Sequence, residues 1–94
     1  MPWFQKVQAG TPSYAVGGFP IVVGEMHKIR SAMVQMQPET KLGTTVHAGF
    51  NITLRGNTAF VTVYRRNALA EAWTELPAAE DLNAANFILT GIGD

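Results

Sequence analysis

From Val46 to Leu54 every second residue is apolar: Val46, Ala48, Phe50, Ile52 and Leu54. Gly56-Asn57 follows, and the alternation resumes with Ala59, Val61 and Val63. A period of two is the mark of a strand with one buried face. Two such runs joined by a Gly-containing pair predict a β-hairpin. With Gly56-Asn57 as a two-residue loop, Arg55 faces Thr58. The pairs then run Leu54–Ala59, Ile52–Val61, Phe50–Val63 and Ala48–Arg65. One face collects Phe50, Ile52, Leu54, Ala59, Val61 and Val63. The other carries the pairs Thr53–Phe60, Asn51–Thr62, Gly49–Tyr64 and His47–Arg66. An isolated hairpin is marginal in water, so the apolar face requires a second sheet. The segments around 19–23 and 32–36 are the expected lid.

The same reading extends along the chain. Trp3, Gln5 and Val7 alternate with Phe4, Lys6 and Gln8, which makes residues 1–16 an N-terminal arm or edge strand. Residues 17–94 read as a single β-sandwich domain. A loop rich in Gly, Pro and Ser occupies 10–18. Phe19, Ile21 and Val23 alternate with Pro20, Val22 and Gly24, and Pro20, lacking an amide donor, belongs either on an edge strand or among the first residues of its strand. Residues 24–29 read as a turn. Ala32, Val34 and Met36 then share a face opposite Ser31, Met33, Gln35 and Gln37, and a closing strand sets Phe87, Leu89 and Gly91 against Ile88, Thr90 and Ile92. The alternation fails between Asn67 and Asn86. There Ala68, Leu69, Ala72 and Trp73 have the spacing of one possible short helix between Asn67 and Trp73. The competing reading is an extended connection that lays Trp73 over the core, favoured because Pro77 would stop a helix. Five to six short strands with turn residues between them predict an all-β fold, a small antiparallel β-sandwich or barrel.

Composition narrows the partners. Only 15% of the 94 residues are charged, against roughly 25% in typical globular domains. That scarcity implies surface covered by a partner or by copies of the chain, a homo-oligomer. Seven basic residues balance seven acidic ones, which argues against nucleic acid, whose phosphates demand an excess of Lys and Arg. No apolar stretch approaches the length of a membrane span and no signal-peptide pattern opens the chain, so no membrane association is expected. With no cysteine there is neither a disulfide nor a thiolate metal site.

Candidate chemistry is sparse. Glu25, His27 and His47 are the imaginable metal ligands, too few and too scattered for a site. Ser31 with His27 lacks any orienting acid. Glu71, Glu75, Glu80 and Asp81 fall in a polar connector and read as a solvated face. Neither Gly17-Gly18 nor the final glycines precede the Lys-Ser/Thr of a phosphate loop. The Asn51-Ile52-Thr53 triplet fits the glycosylation pattern, but it sits mid-strand and no signal-peptide pattern accompanies it, so chance explains it. No catalytic residue, cofactor or metal is expected, and the chain does not read as an enzyme. What remains is aromatic surface: Phe60 and Tyr64 on the polar side of the hairpin with Arg66 at the rim, and Trp3, Phe4 and Tyr14 near the N-terminus. These are the residue types enriched in protein interfaces. The alternative for Phe60 and Tyr64 is that the segment bearing Trp73 packs over them.

Three stretches together, "GGFPIVVGEMHKIRSAMVQM", "GNTAFVTVYR" and "TELPAAEDLNAANFILTGIG", make residues 17–93 similar to small structural proteins of tailed bacteriophages. The resemblance rests on turn and strand patterns, and the segment "MPWFQKVQAGTPSY" departs from it. It implies a β-sandwich virion protein of the capsid-decorating or cementing kind, assembled in the host cytoplasm, with the major capsid protein or another virion protein as partner. A phage tail, head–tail or fibre component, and a small-ligand or carbohydrate-binding β-sandwich, are the alternatives.

Overall fold

The hairpin closes as its pattern requires. In the computed structural model, which describes residues 2–38, 41–43, 45–83 and 85–94, β4 (His47–Arg55) pairs antiparallel with β5 (Thr58–Arg66). Each partner pair expected from the alternation is present, from Arg55–Thr58 to His47–Arg66. Gly56 takes φ 59° at the first central position of the turn, the backbone that a two-residue hairpin loop demands there and that glycine adopts without a Cβ clash.

Around this hairpin the described residues form five more strands: β1 (Trp3–Ala9), β2 (Phe19–Val22), β3 (Ile29–Gln37), β6 (Thr74–Glu75) and β7 (Asn86–Gly93). They form two antiparallel sheets, one ordered β1-β7-β3 and the other β2-β5-β4, with the short β6 also pairing β5. The architecture is all-β, and among the described residues there is no helix. Trp3–Ala9 therefore forms an edge strand rather than a free arm, since β1 pairs β7 along its whole length.

One expectation is corrected, and one pair of alternatives is decided. The strand near residues 19–23 does not cover the hairpin: β2 joins the hairpin's own sheet, with Phe19 opposite Val61 and Ile21 opposite Ala59. The covering layer is β1-β7-β3. The short helix between Asn67 and Trp73 is also absent. A turn forms instead, in which the Glu71 amide donates to the Ala68 carbonyl and the Asn67 amide donates to the Glu71 carboxylate. A two-turn helix there would have needed a buried side for Leu69, whereas Leu69 is exposed and Trp73 lies on the sheet.

The core follows from strand alternation. Phe4 on β1, Met36 on β3 and Phe87 and Leu89 on β7 meet Phe19 and Ile21 on β2 and Ala59, Val61 and Val63 on β5. Phe87 sits between the layers, its ring edge-on to Phe19 at 4.8 Å and to Phe50 at 6.1 Å. Burial is uneven across the hairpin. Ala59, Val61 and Val63 are fully buried, while Ala48, Phe50, Ile52 and Leu54 on β4 are only partly so. The reason is position: β5 is flanked on both sides, and β4 is the last strand of its sheet.

Ala79 stands out in the connection to β7. It holds φ 69° at the third position of a turn closed by the Glu80 amide on the Pro77 carbonyl. An L-residue with a Cβ is disfavoured there. Ala79→Gly is therefore expected to raise stability by about 0.5–1 kcal/mol, read as a higher midpoint in urea at an unchanged slope.

Candidate interaction surface

The outward side of the β1-β7-β3 sheet follows from register. Its cross-strand rows are Trp3–Ile92–Ser31, Gln5–Thr90–Met33, Val7–Ile88–Gln35 and Ala9–Asn86–Gln37. Not one charged side chain stands in these rows. Trp3 is 76% exposed, Met33 66% and Val7 59%. A shallow depression of about 330 Å³ runs between Trp3, Ser31, Met33, Thr90 and Ile92. Large apolar side chains exposed together on one face, without charge between them, are the feature by which contact surfaces differ from ordinary solvated ones.

The outward side of the other sheet is built differently. Trp73 reaches back from the 67–73 turn and rests on Gly49, where a Cβ would come within 3.1 Å of the indole. Glycine at this place is what lets the ring lie flat against the strand. Arg66 extends its guanidinium over the indole at 4.2 Å, and its Nη1 donates to the Leu69 carbonyl. Tyr64 borders the same spot, and Gly49, Asn51, Tyr64 and Trp73 enclose a depression of about 350 Å³. Phe60 lies at the far end of β5, beneath the Arg55 guanidinium at 5.7 Å. Between them Thr62 is buried, its hydroxyl directed at the Gly17 carbonyl. Phe60 and Tyr64 thus form no single patch: the turn at residue 17 divides them.

Of the six interface candidates, Trp3 lies fully on an exposed face. Phe60, Tyr64 and Arg66 are half-covered by their own chain. Phe4 and Tyr14 are corrected to core residues, 6% and 1% exposed. For Phe4 the reason is the pleat, which sends it to the face opposite Trp3. For Tyr14 the reason is a gap in the sheet. β2 pairs β5 as far as Val61 and β6 begins at Tyr64, leaving the Val63 amide between them without a strand partner. The Tyr14 hydroxyl accepts from that amide at 3.1 Å and donates to the Glu75 carboxylate at 2.8 Å. Glu75 also accepts from the Gly17 amide at 2.7 Å. Burial, opposed by the Val63 bond and reinforced by the Glu75 carboxylate, pushes the Tyr14 phenol up to about 12.

Val7, Met33, Ile88 and Ile92 were not among the residues expected at an interface. Their signal was present: at the outward positions of all three strands the sequence offers Trp, Gln, Val, Met, Thr and Ile, and no Asp, Glu, Lys or Arg. Among the described residues no group of three or more His, Asp or Glu is placed to hold a metal ion. Among the described residues no helix is long and apolar enough to cross a membrane. Comparison of the chain with family models, curated proteins and solved structures found no match.

Proposed function

We propose that this chain is a non-enzymatic structural protein of a bacteriophage virion, a capsid decoration or cement protein that docks many times on an assembled shell. The observation that supports the reading best is the charge-free outer side of the β1-β7-β3 sheet. Trp3 and Met33 there are large and exposed and line one depression from opposite sides of β7, the kind of residues that dominate binding energy when a partner excludes water from them. A rigid sheet presents them in fixed geometry. Repetition over a shell multiplies a modest interface, so no single tight site is required. The partner that fits is an uncharged or apolar protein surface, in this reading one on the major capsid protein. A carbohydrate-binding role would draw on the depression beside Trp73, but Arg66 already occupies the indole ring, which weighs against it.

The test is co-sedimentation of the purified protein with assembled capsid shells. Wild-type protein is expected in the pellet with the shells. The double variant Trp3→Ser/Met33→Ser is expected to lose at least tenfold in affinity while melting at an unchanged temperature, since both side chains are exposed. Wild-type protein left in the supernatant, or a double variant that binds as well, would sink the proposal.

A further inference from the structure

The two sheets have four outer edges, and three of them carry devices that discourage pairing with another chain. β2 is four residues long and contains Pro20. β3 is broken by a bulge between Ile29 and Ser31. β1 turns Lys6 toward the same side as the buried Phe4, an inward-facing charge on an edge. β4 has none of these. It runs nine residues in unbroken register, without proline, lysine or carboxylate.

The hydrogen-bond phase of β4 is fixed by the hairpin turn. The pair next to a two-residue loop exchanges both of its hydrogen bonds, so Arg55, Thr53, Asn51, Gly49 and His47 point their amides and carbonyls at β5. Leu54, Ile52, Phe50 and Ala48 point theirs away from it, to the open edge. Among the described residues none of these four makes a backbone hydrogen bond outside the hairpin. The same four carry the apolar side chains of β4, and these are the residues left partly uncovered in the core. Two shallow depressions of about 340 and 420 Å³ follow this side of the molecule, between β3 and β4.

We propose that β4 is the seam of a two-fold dimer of this chain, in which it pairs antiparallel with β4 of a second copy about an axis through Asn51. That register brings every outward-pointing group into a ladder: Ala48 meets Leu54 of the other copy, and Phe50 meets its Ile52. Roughly eight new backbone hydrogen bonds result, two for each of the narrow pairs. Small stands against large and aromatic against branched, which are favourable cross-strand partners. On the outer side Gly49 meets Thr53, and Asn51 meets its own symmetry mate. At each extremity of the seam His47 stands opposite Arg55 of the other copy, and Arg55 is already stacked on Phe60. Two-fold pairing uses one patch twice, as isologous contacts do.

The area suffices. Nine residues at about 3.4 Å each give an edge roughly 30 Å long, and two stacked sheets make it about 20 Å deep, so the dimer would bury about 1,200 Å², the lower bound for specific and stable interfaces. The shortest dimension of the molecule, 21 Å, agrees with that depth. The seam borders the β1-β7-β3 face at Met33, but it is argued from the β4 edge and does not depend on the decoration reading.

Asn51 provides the test, because its side chain is exposed and sits on the axis. Mass by sedimentation equilibrium is expected to be twice that of one chain for the wild type. Asn51→Lys places two ammonium groups opposite each other, and Asn51→Asp two carboxylates, so each variant alone is expected to dissociate at least tenfold more readily. An equimolar mixture of the two is expected to recover the dimer as a mixed species, identified by native mass spectrometry. Rescue by opposite charge at a single position requires that the position face itself. A monomeric wild type at millimolar concentration, a larger oligomer, or a dimer indifferent to Asn51→Lys would overturn the proposal. The last outcome would move the contact to the Trp3–Met33 face.

Discussion

Phe87→Ala is expected to destabilise the fold by about 3–5 kcal/mol. Phe87 is wholly buried on the central strand of its sheet and touches Phe19 and Phe50 from the opposite layer. Truncation removes transfer energy and leaves a cavity that strands held in two ladders cannot close. Domains of this size are stable by only about 5–15 kcal/mol, so the variant should sit near the edge of folding. Urea titration followed by tryptophan fluorescence would read the shift in midpoint. Met33→Ala, at an exposed position of the neighbouring strand, serves as the control and should stay within about 0.5 kcal/mol of the parent. A Phe87→Ala protein with an unchanged midpoint would mean that the two sheets do not pack through this ring.

Tyr14→Phe is the second large effect. Removing the hydroxyl leaves the Val63 amide buried without an acceptor and takes a donor from Glu75, at a cost of about 1–3 kcal/mol. The pH dependence separates this from a simple packing loss. The folded protein holds the phenol neutral up to about 12, whereas the unfolded chain ionises near 10. The unfolded state therefore binds fewer protons in that window, so the Tyr14 contribution is fully present below pH 10 and is lost as pH rises toward 12. Unfolding free energy measured from pH 9 to 12 should fall more steeply for the parent than for Tyr14→Phe. Parallel curves would remove Tyr14 from its place as a neutral plug in the sheet.

The hairpin was legible to the residue because two local rules agree on it, a period of two and a turn that accepts only one register. The faces of β7 and β3 were legible for the same reason. Which layer each strand joins was not. The partnership of β2 with β5 spans about forty residues, and nothing in the pattern of Phe19, Ile21 and Val23 names the neighbour. Tyr14 was misjudged because it sits in a Gly- and Pro-rich loop without a period, and its burial is created by a gap between two strands that meet only in the folded molecule. Trp3 and Phe4 were grouped together although adjacent strand residues face opposite ways; the alternation already required that one of them be core. On the outward face the telling feature is an absence of charge along three separated strands, which no single residue displays.

The order β1-β7-β3 has a consequence for how the chain comes into being on the ribosome. The middle strand of that sheet is the last of the seven to be made, while its two neighbours are among the first three. Until residues 86–93 emerge, β1 and β3 have no partner, and Trp3, Phe4 and Met33 remain without a sheet. The β4–β5 hairpin, whose contacts are local, has no such wait. Sandwiches dominated by distant pairings fold in milliseconds to seconds. The nascent chain therefore gains its cooperative structure in one late event, when β7 slides between two waiting strands and closes the sandwich.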